Sequence, residues 1–266
     1  MVGVRNLLSS PKLIEVLEEA WTPRTREEIR NRTSISTSHL SQITNKLISL
    51  NLIEQKGEKF KILPKGELVL RANKVTSSYE KFLTRFDSYI NLYELRDIPE
   101  NLLLRVYEIQ DFVVIERSEE CFLPHQEFME NLYNSEEIRG YSSVLFPEYI
   151  KAFLGFAEYG KKIELVVNRE VFQQILDNYR DELEKGLECN NVRFYLSQKN
   201  FKFSFIVTDL LFSISFYLKS GLFDYKRDFF CNSNEGIGWG MELFKYVKDN
   251  SLRIGIKEAK EMAQYL

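Results

Sequence analysis

The chain has 266 residues and a net charge of −3, values that suit a globular protein of about two domains. Its three cysteines, Cys121, Cys189 and Cys231, lie far apart with no CxxC pair, which argues against a disulfide framework or a zinc cluster and fits a reducing cytoplasm. No signal peptide is predicted at the N-terminus, and the most apolar stretch, 203–218, is too short and too interrupted by Asp209 to span a membrane as a helix.

Two helices are predicted at the start of the chain. Residues 6–20 carry apolar side chains at helical spacing, and Pro23 ends this pattern. In the second helix, Thr25 is predicted to cap the N-terminus together with Glu28, three residues later. Ile29 is the residue of this helix that we expect to face inward.

The segment 34–63 has the clearest pattern in the chain. Its first half predicts a helix with an apolar stripe that recurs every three or four residues: Leu40, Ile43, Leu47 and Leu50. The opposite face holds small or hydrogen-bonding residues and no acidic ones: Ser38, Ser41, Gln42, Asn45 and Ser49. Asn51 follows where helices often end in the left-handed conformation, which asparagine tolerates. Two short strands, 52–55 and 60–63, are joined by a turn at 56–59.

A helix with a neutral-to-basic outer face, followed by a basic hairpin, predicts a winged helix-turn-helix that binds duplex DNA. The charge distribution agrees, because residues 1–75 hold 13 Lys and Arg against 8 Asp and Glu, a net of +5, whereas residues 76–266 hold 23 against 31, a net of −8. Base edges are assigned to Ser38, Gln42 and Asn45, with Ser41 on the same face. Phosphate contacts are assigned to Thr37, His39, Lys46, Lys56, Lys59 and Lys61.

A seam of aromatic residues is predicted on a helix at 76–93, after a shorter helix at 65–74. Its members recur every three or four positions: Tyr79, Phe82, Phe86, Tyr89 and Tyr93. Because paired half-sites are the usual solution for DNA readers of this size, we expect a homodimer, and the seam is a candidate interface. The alternatives are that the seam packs on its own larger domain and that the dimer forms through that domain.

The remainder alternates strands and helices and predicts an α/β domain with a mixed, largely parallel sheet. Helices are predicted over 97–109, 124–133, 147–159, 170–188, 236–248 and 254–265, and strands over 112–115, 140–146, 163–167 and 192–195. Residues 201–207 and 210–218 alternate apolar and polar side chains, which indicates an antiparallel hairpin at one edge of the sheet. The fold class is therefore an α+β winged helix-turn-helix N-terminal domain (1–75), a linker helix (76–94) and an α/β C-terminal domain (95–266).

Five short motifs carry a resemblance to a known family. They are Leu95-Arg96-Asp97-Ile98-Pro99, Pro124-His125-Gln126-Glu127-Phe128, Ile138-Arg139-Gly140-Tyr141-Ser142-Ser143, Gly221-Leu222-Phe223-Asp224-Tyr225-Lys226-Arg227-Asp228 and Trp239-Gly240-Met241-Glu242-Leu243-Phe244. With the winged-helix pattern, the chain resembles archaeal winged-helix transcriptional regulators, found largely in methanogens, whose larger domain is named after a methanogenesis regulator. The resemblance implies a cytoplasmic, DNA-binding regulator from an archaeon.

The sequence does not predict a catalytic centre, a cofactor or a metal. The His-x-Lys of phospholipase-type phosphodiesterases is absent, because Gln126 and Glu127 follow His125, and GxSxG, P-loop and HExxH motifs are missing. Cys121 and His125 could share a helix face, but an ordinary helix start is favoured because no further Cys or His lies nearby. An α/β enzyme with an accessory winged helix remains the alternative function, and a protein-binding adaptor is a third.

The larger domain is predicted to sense an effector, because a DNA reader alone needs only the first domain. Ligands of α/β sheets bind beyond the carboxyl ends of strands, where polar residues of this chain cluster. The candidate pocket consists of Arg139, Ser142, Ser143, Lys219, Asp224, Tyr225 and Arg227. Their hydroxyls, carboxylate and cations would suit a small polar or anionic metabolite. The alternative is that the charged residues near Asp224 form salt bridges within a turn.

Overall fold

The computed structural model describes residues 9–116 and 126–265, apart from the side chains of Gln126, Glu127 and residues 263–265. The chain divides into two compact units, Met1–Lys81 and Phe82–Leu266. The sequence instead predicts a boundary at residue 75 and a separate linker over 76–94. The start of the first predicted helix, Cys121 and His125 lie outside the described residues.

The smaller unit combines helices with a small antiparallel sheet. Its elements are α1 (Pro11–Glu19), α2 (Arg26–Arg32), α3 (Thr37–Ser49), the beginning of α4 (Pro64–Ile90), and the strands β1 (Arg24–Thr25), β2 (Ile53–Lys56) and β3 (Lys59–Ile62). The strand order is β1-β3-β2. The sequence does not predict β1, because two residues are too few to show the alternation of a strand.

Local rules account for most element ends in the smaller unit. Thr25 caps α2 in a reciprocal capping box with Glu28, as predicted. Asn51 ends α3 with a φ of 55°, also as predicted. The β2–β3 turn has Gly57 at a φ of 61°, a conformation that glycine adopts without strain.

The core of the smaller unit is made of side chains from α1, α2, α3 and the hairpin. Leu40 and Leu47 are completely buried, as the apolar stripe predicts. Leu50 is only half-buried, and Thr44 is buried in the core with its hydroxyl donating to the Leu40 carbonyl oxygen at 3.0 Å. Trp21, by contrast, is 52% exposed.

Four of the five residues of the aromatic seam lie on one continuous helix that also contains residues 65–74, and Tyr93 follows the end of this helix. Residues 65–93 were predicted to form two helices, whereas α4 runs unbroken for 27 residues. Phe82, Phe86 and Tyr93 are buried in the core of the larger unit, where the Phe86 ring lies 6.0 Å from that of Phe229. The alternative that the seam packs internally is therefore correct for these three residues, because they fill the core and are not available to a second chain.

The larger unit is built on a twisted sheet that has eight strands within the described part of the chain. In sequence order the strands are β4 (Val113–Glu116), β5 (Glu137–Ser142), β6 (Lys162–Val167), β7 (Val192–Ser197), β8 (Phe203–Thr208), β9 (Phe212–Phe216), β10 (Arg227–Cys231) and β11 (Ser251–Ile254). Their spatial order is β11-β7-β6-β5-β8-β9-β10-β4. The mixed sheet is confirmed, but its parallel part is smaller than predicted, because only β5, β6 and β7 run parallel to one another.

The hairpin β8–β9 is present, as predicted. The prediction that it lies at an edge of the sheet is wrong. It lies inside the sheet, since β8 pairs with β5 and β9 pairs with β10. The strands β10 and β11, which the sequence analysis missed, extend the sheet on either side. Because β10 pairs with β9, the hairpin that was predicted at an edge lies in the middle of the sheet.

Helices cover both faces of this sheet. They are α5 (Glu100–Leu103), α6 (Gln126–Asn134), α7 (Pro147–Glu158), α8 (Arg169–Asn178), α9 (Arg180–Glu188), α10 (Asn234–Asp249) and α11 (Ile256–Tyr265). The helix predicted over 97–109 is replaced by α5 and a 3-10 helix at Val106–Ile109.

One face packs on α10, where Trp239 is 1% exposed and its indole N–H donates to the Leu102 carbonyl at 3.0 Å. The other face packs on the helices between β5 and β7 and on α6. No helix in the described part of the chain is both long enough and apolar enough to cross a bilayer.

Candidate nucleic-acid interface and ligand cavity

The outer face of α3 presents the residues that were assigned to DNA. With 3.6 residues per turn, Ser38, Gln42 and Asn45 project opposite the buried Leu40 and Leu47. All three polar residues are exposed, as are Thr37 and Lys46, while Ser41 and His39 are half-exposed at the margins. The face therefore offers amide and hydroxyl groups that can reach base edges, without a carboxylate that would repel phosphate.

The N-terminus of α3 adds a feature that the sequence analysis missed. Ser36 occupies the N-cap position, but its side chain makes no capping hydrogen bond. The first-turn N–H groups thus lack a side-chain acceptor and carry the positive end of the helix dipole, an arrangement that binds phosphate. The sequence does contain this signal. A capping box would place an acidic or amide residue three residues after Ser36, and this chain has His39 there.

The hairpin β2–β3 presents its three predicted lysines to solvent. Lys56 is exposed at the end of β2, and Lys59 and Lys61 are exposed on β3. Lys56 forms an ion pair with Glu54 at 2.8 Å, and Lys61 lies directly opposite Glu54 in the strand register. The positive charge of the wing is therefore partly neutralised by Glu54, whereas Lys59 pairs with Lys56 in the strand register, next to the turn.

The predicted effector pocket does not come together, and Arg139 shows why. Arg139 lies on the face of the sheet that packs on α10, where it forms ion pairs with Glu137 at 2.5 Å and Glu164 at 3.4 Å. Hydrogen bonds from Lys162 and Arg139 lower the pKa of Glu137. Arg139 is thus committed to a charge network within the fold and is not available to an anion.

Arg227 and Asp224 are paired with each other, as the alternative interpretation holds. Arg227 contacts Asp224 at 3.0 Å and Glu116 at 3.0 Å. The hydroxyl of Tyr93 donates to the buried Asp224 carboxylate at 2.8 Å. Burial and this hydrogen bond raise the pKa of Tyr93 above its ordinary value. These contacts brace the segment before β10 and assign the two charges a structural role.

The other predicted pocket residues are dispersed. Lys219 is exposed, and Tyr225 is 44% exposed with its ring packed 4.8 Å from that of Phe223. Ser143 is buried, with its hydroxyl 2.8 Å from that of Ser204. Ser142 alone among the predicted set lines a cavity between the sheet and the helices of the larger unit.

This cavity has a volume of about 170 Å³ and lies between the sheet of the larger unit and its helices. The helical side is apolar apart from Glu182; its lining includes Phe128, Phe146, Tyr149, Ile150, Phe153 and Leu183. A dry cavity of about 150 Å³ is large enough for benzene. The space therefore fits the body of a small apolar molecule.

The sheet side of the cavity carries a polar patch, defined here as Ser204, Ser213, Ser215 and Asp228. Side chains alternate along a strand, so Ser213 and Ser215 face the cavity while Phe212 and Ile214 face the opposite core. Ser204 lies opposite Ser215 in the strand register, and the Ser215 hydroxyl donates to Asp228. All four residues are less than 10% exposed.

Ser213 differs from its neighbours in the polar patch. Its hydroxyl has no hydrogen-bond partner among the described residues, although the residue is only 7% exposed. The signal for the patch is the Phe-Ser-Ile-Ser-Phe alternation of 212–216, from which the sequence predicts only a hairpin at one edge of the sheet.

The larger unit contains the part of the chain that matches a described family. Residues 121–250 match the model of "Methanogenesis regulatory protein FilR1, middle domain". The methanogenesis regulatory protein FilR1 of Methanothrix harundinacea (strain 6Ac) is 24% identical over 172 residues, which are 63% of this chain. These residues span only 38% of that relative's length. The predicted resemblance to the methanogenesis-regulator family is thereby confirmed.

Two solved structures are similar to this chain at low identity. The archaeal chromatin protein TrmBL2 is 11% identical, with a TM-score of 0.45, over 94% of this chain and 98% of its own. Nuc of Salmonella typhimurium, a phospholipase D family member, is 12% identical, with a TM-score of 0.39, over 54% of this chain and 97% of its own. Both TM-scores are below 0.5, so neither similarity supports a conclusion about fold or function.

Proposed function

We propose that the chain is a DNA-binding transcriptional regulator, because its residues 121–250 match the model of the FilR1 middle domain. The relative that carries this domain is named as a regulatory protein of methanogenesis. That name also supports the prediction that the chain is not an enzyme. A cytoplasmic location follows from the proposed role, since the DNA of a prokaryotic cell lies there.

The smaller unit is proposed to act as a winged helix-turn-helix. The observation that carries this proposal is the exposed, carboxylate-free polar face of α3, beside an uncapped helix N-terminus and a lysine-bearing hairpin. In this arrangement α3 enters the major groove, Gln42 and Asn45 pair with base edges, and Lys59 meets the adjacent backbone. The segment 34–36, before α3, provides the turn between α2 and α3.

The regulator is proposed to bind its site as a homodimer. The interior position of Phe82 and Phe86 removes the aromatic seam as the interface. Leu68 and Val75 remain exposed on α4, at 67% and 38%, and lie seven residues apart on one face. We infer that a second copy covers this face, and sedimentation of a Leu68→Glu/Val75→Glu variant would show a monomer if it does.

The larger unit is proposed to respond to a small-molecule effector. Its cavity, with an apolar helical side and a polar patch, has the composition of ligand pockets in general. The dispersal of Arg139 and Arg227 moves the proposed pocket away from the predicted residues and into this cavity. Effector and DNA then affect each other's affinity reciprocally, typically by about 1–3 kcal/mol.

The experiment that tests this function is selection of bound fragments from genomic DNA, followed by salt titration of the best site. A sequence-specific regulator enriches a common site, and its affinity falls steeply as salt rises because phosphate contacts release counterions. Recovery of fragments without a shared sequence, or binding that does not depend on salt, would contradict the proposal. An enzyme with an accessory module would show turnover of a substrate, which a regulator does not require.

A further inference from the structure

We propose that the cavity of the larger unit binds a small molecule with an apolar body and a hydrogen-bond-donating head, such as a primary amine or an alcohol, and disfavours anions. This inference specifies the class of ligand for the proposed effector response. It rests on the proposed function only for the coupling between ligand binding and DNA affinity. The predicted anionic metabolite is replaced because the arginines assigned to it are paired elsewhere.

The charge of the lining is the first step. Glu182 and Asp228 are both acidic, and no described Lys, Arg or His lines the cavity. A carboxylate or phosphate ligand would therefore enter without a cationic partner among the described residues and close to Asp228. An anion taken out of water without a partner is strongly disfavoured, whereas an ammonium or hydroxyl group is not opposed by this lining.

The hydrogen-bonding capacity of the polar patch is the second step. Ser213 is 7% exposed, faces the cavity and has no partner among the described residues, so its hydroxyl is available to a ligand head. Ser215 donates its proton to Asp228, which leaves its oxygen lone pairs as acceptors. The patch thus offers more acceptors than donors, and a head group with several donors satisfies it best.

The size and shape of the cavity are the third step. About 170 Å³ beside the rings of Phe128, Phe146 and Tyr149 accommodates a body of about the size of a phenyl ring with a short linker. The apolar side and the polar patch lie on opposite sides of the cavity, so one orientation places the ring against the helices and the head at Ser213. The ligand is therefore held in a single orientation.

The test uses the full chain and three matched probes, 2-phenylethylamine, 2-phenylethanol and phenylacetate, which share a ring and differ in the head. Calorimetric titration is expected to rank the amine first, the alcohol second and phenylacetate at least tenfold weaker. Ser213→Ala is expected to weaken the amine and the alcohol about fivefold or more. The matched control is Ser88→Ala, which removes an exposed serine hydroxyl of the same unit outside the cavity lining.

Two results would overturn the ligand class: phenylacetate binding as tightly as the amine, or unchanged binding of the amine and alcohol to Ser213→Ala. Because Ser213→Ala deletes only an unpartnered hydroxyl, both serine variants should melt like wild type, so that weaker binding reports the contact. DNA titrations with and without the amine separate the two proposals. Binding of the amine at Ser213 without any change in DNA affinity would leave the ligand class standing and contradict the effector role.

Discussion

The two units of the chain each contain an element with one polar face, and these faces lie in different environments. The polar face of α3 in Met1–Lys81 is exposed and carries Gln42 and Asn45. The polar face of the β8–β9 hairpin in Phe82–Leu266 is buried and forms one side of a cavity, with Ser213 and Ser215. Periodicity therefore identifies which residues share a face, whereas the elements packed against that face decide whether it meets solvent or a ligand.

The largest effect is expected in the core of the larger unit, where Phe82, Phe86 and Tyr93 of the aromatic seam are buried. Phe86→Ala should lower the free energy of unfolding by roughly 3–5 kcal/mol, because a buried phenylalanine leaves a cavity. Leu83 lies on the same helix and is 52% exposed, so Leu83→Ala is the matched control and should change little. Equal urea denaturation curves for the two variants would mean that the seam is not part of the core.

The next effect concerns the exposed polar face. Gln42→Ala should cost roughly 1–3 kcal/mol of DNA affinity at the preferred site and relax the preference at one base pair. Its stability should stay within about 0.5 kcal/mol of wild type, because an exposed side chain is removed. Lys59→Ala is the control, since a lost phosphate contact should weaken all sequences alike. Binding titrations on preferred and scrambled duplexes distinguish the two.

Substitutions in the buried polar face of the β8–β9 hairpin should change the stability of the protein, whereas those in the exposed face of α3 should change DNA affinity. Ser215→Ala should cost roughly 1–2 kcal/mol, because it removes a hydrogen-bond donor from the buried Asp228. Ser213→Ala should stay within about 0.5 kcal/mol of wild type, because the Ser213 hydroxyl has no partner among the described residues. Chemical denaturation of both variants measures the difference. A larger loss for Ser213→Ala would show that its hydroxyl already has a structural role.

The smallest effect is a pH dependence of stability that arises from Glu164 in the larger unit. Burial raises the pKa of Glu164, but hydrogen bonds and charges of Lys248 and its neighbours outweigh burial and hold it below the ordinary 4.5. The stabilisation is therefore complete above pH 4.5 and is lost as the pH falls through the folded-state pKa.

Glu164→Gln should cost roughly 1 kcal/mol at neutral pH and flatten the fall of melting temperature in acid. The exposed Glu158 provides the control variant Glu158→Gln, which should follow wild type. Thermal unfolding followed from neutral to acidic pH gives both curves. If Glu164→Gln loses stability in acid as steeply as wild type, the charge network is not the cause.

Features that depend on neighbouring residues were predicted well from the sequence. The capping box of Thr25, the left-handed Asn51 and the apolar stripe of Leu40 and Leu47 all follow from spacing within a few residues. The polar face of α3 follows for the same reason, because a helix fixes which side chains share a side. The assignment of these residues to DNA contacts stays a prediction.

Features that depend on distant partners were predicted poorly. The sequence shows Arg139 and Arg227 near strand ends, but it does not show that Glu137, Glu164 and Asp224 neutralise them. The hairpin was assigned to an edge because its alternation resembles a half-exposed strand, and the pairing with β10 was not visible. The cavity was missed for that reason, since a buried polar patch and a solvent-exposed one have the same alternation.

The chain has two tryptophans, one in each unit. Trp21 is 52% exposed and should emit at long wavelength, whereas Trp239 is 1% exposed and should emit at short wavelength. A Trp21→Phe variant would report only the larger unit, and a Trp239→Phe variant only the smaller one. Intrinsic fluorescence can therefore follow the unfolding of each unit without an attached dye and show whether the two transitions coincide.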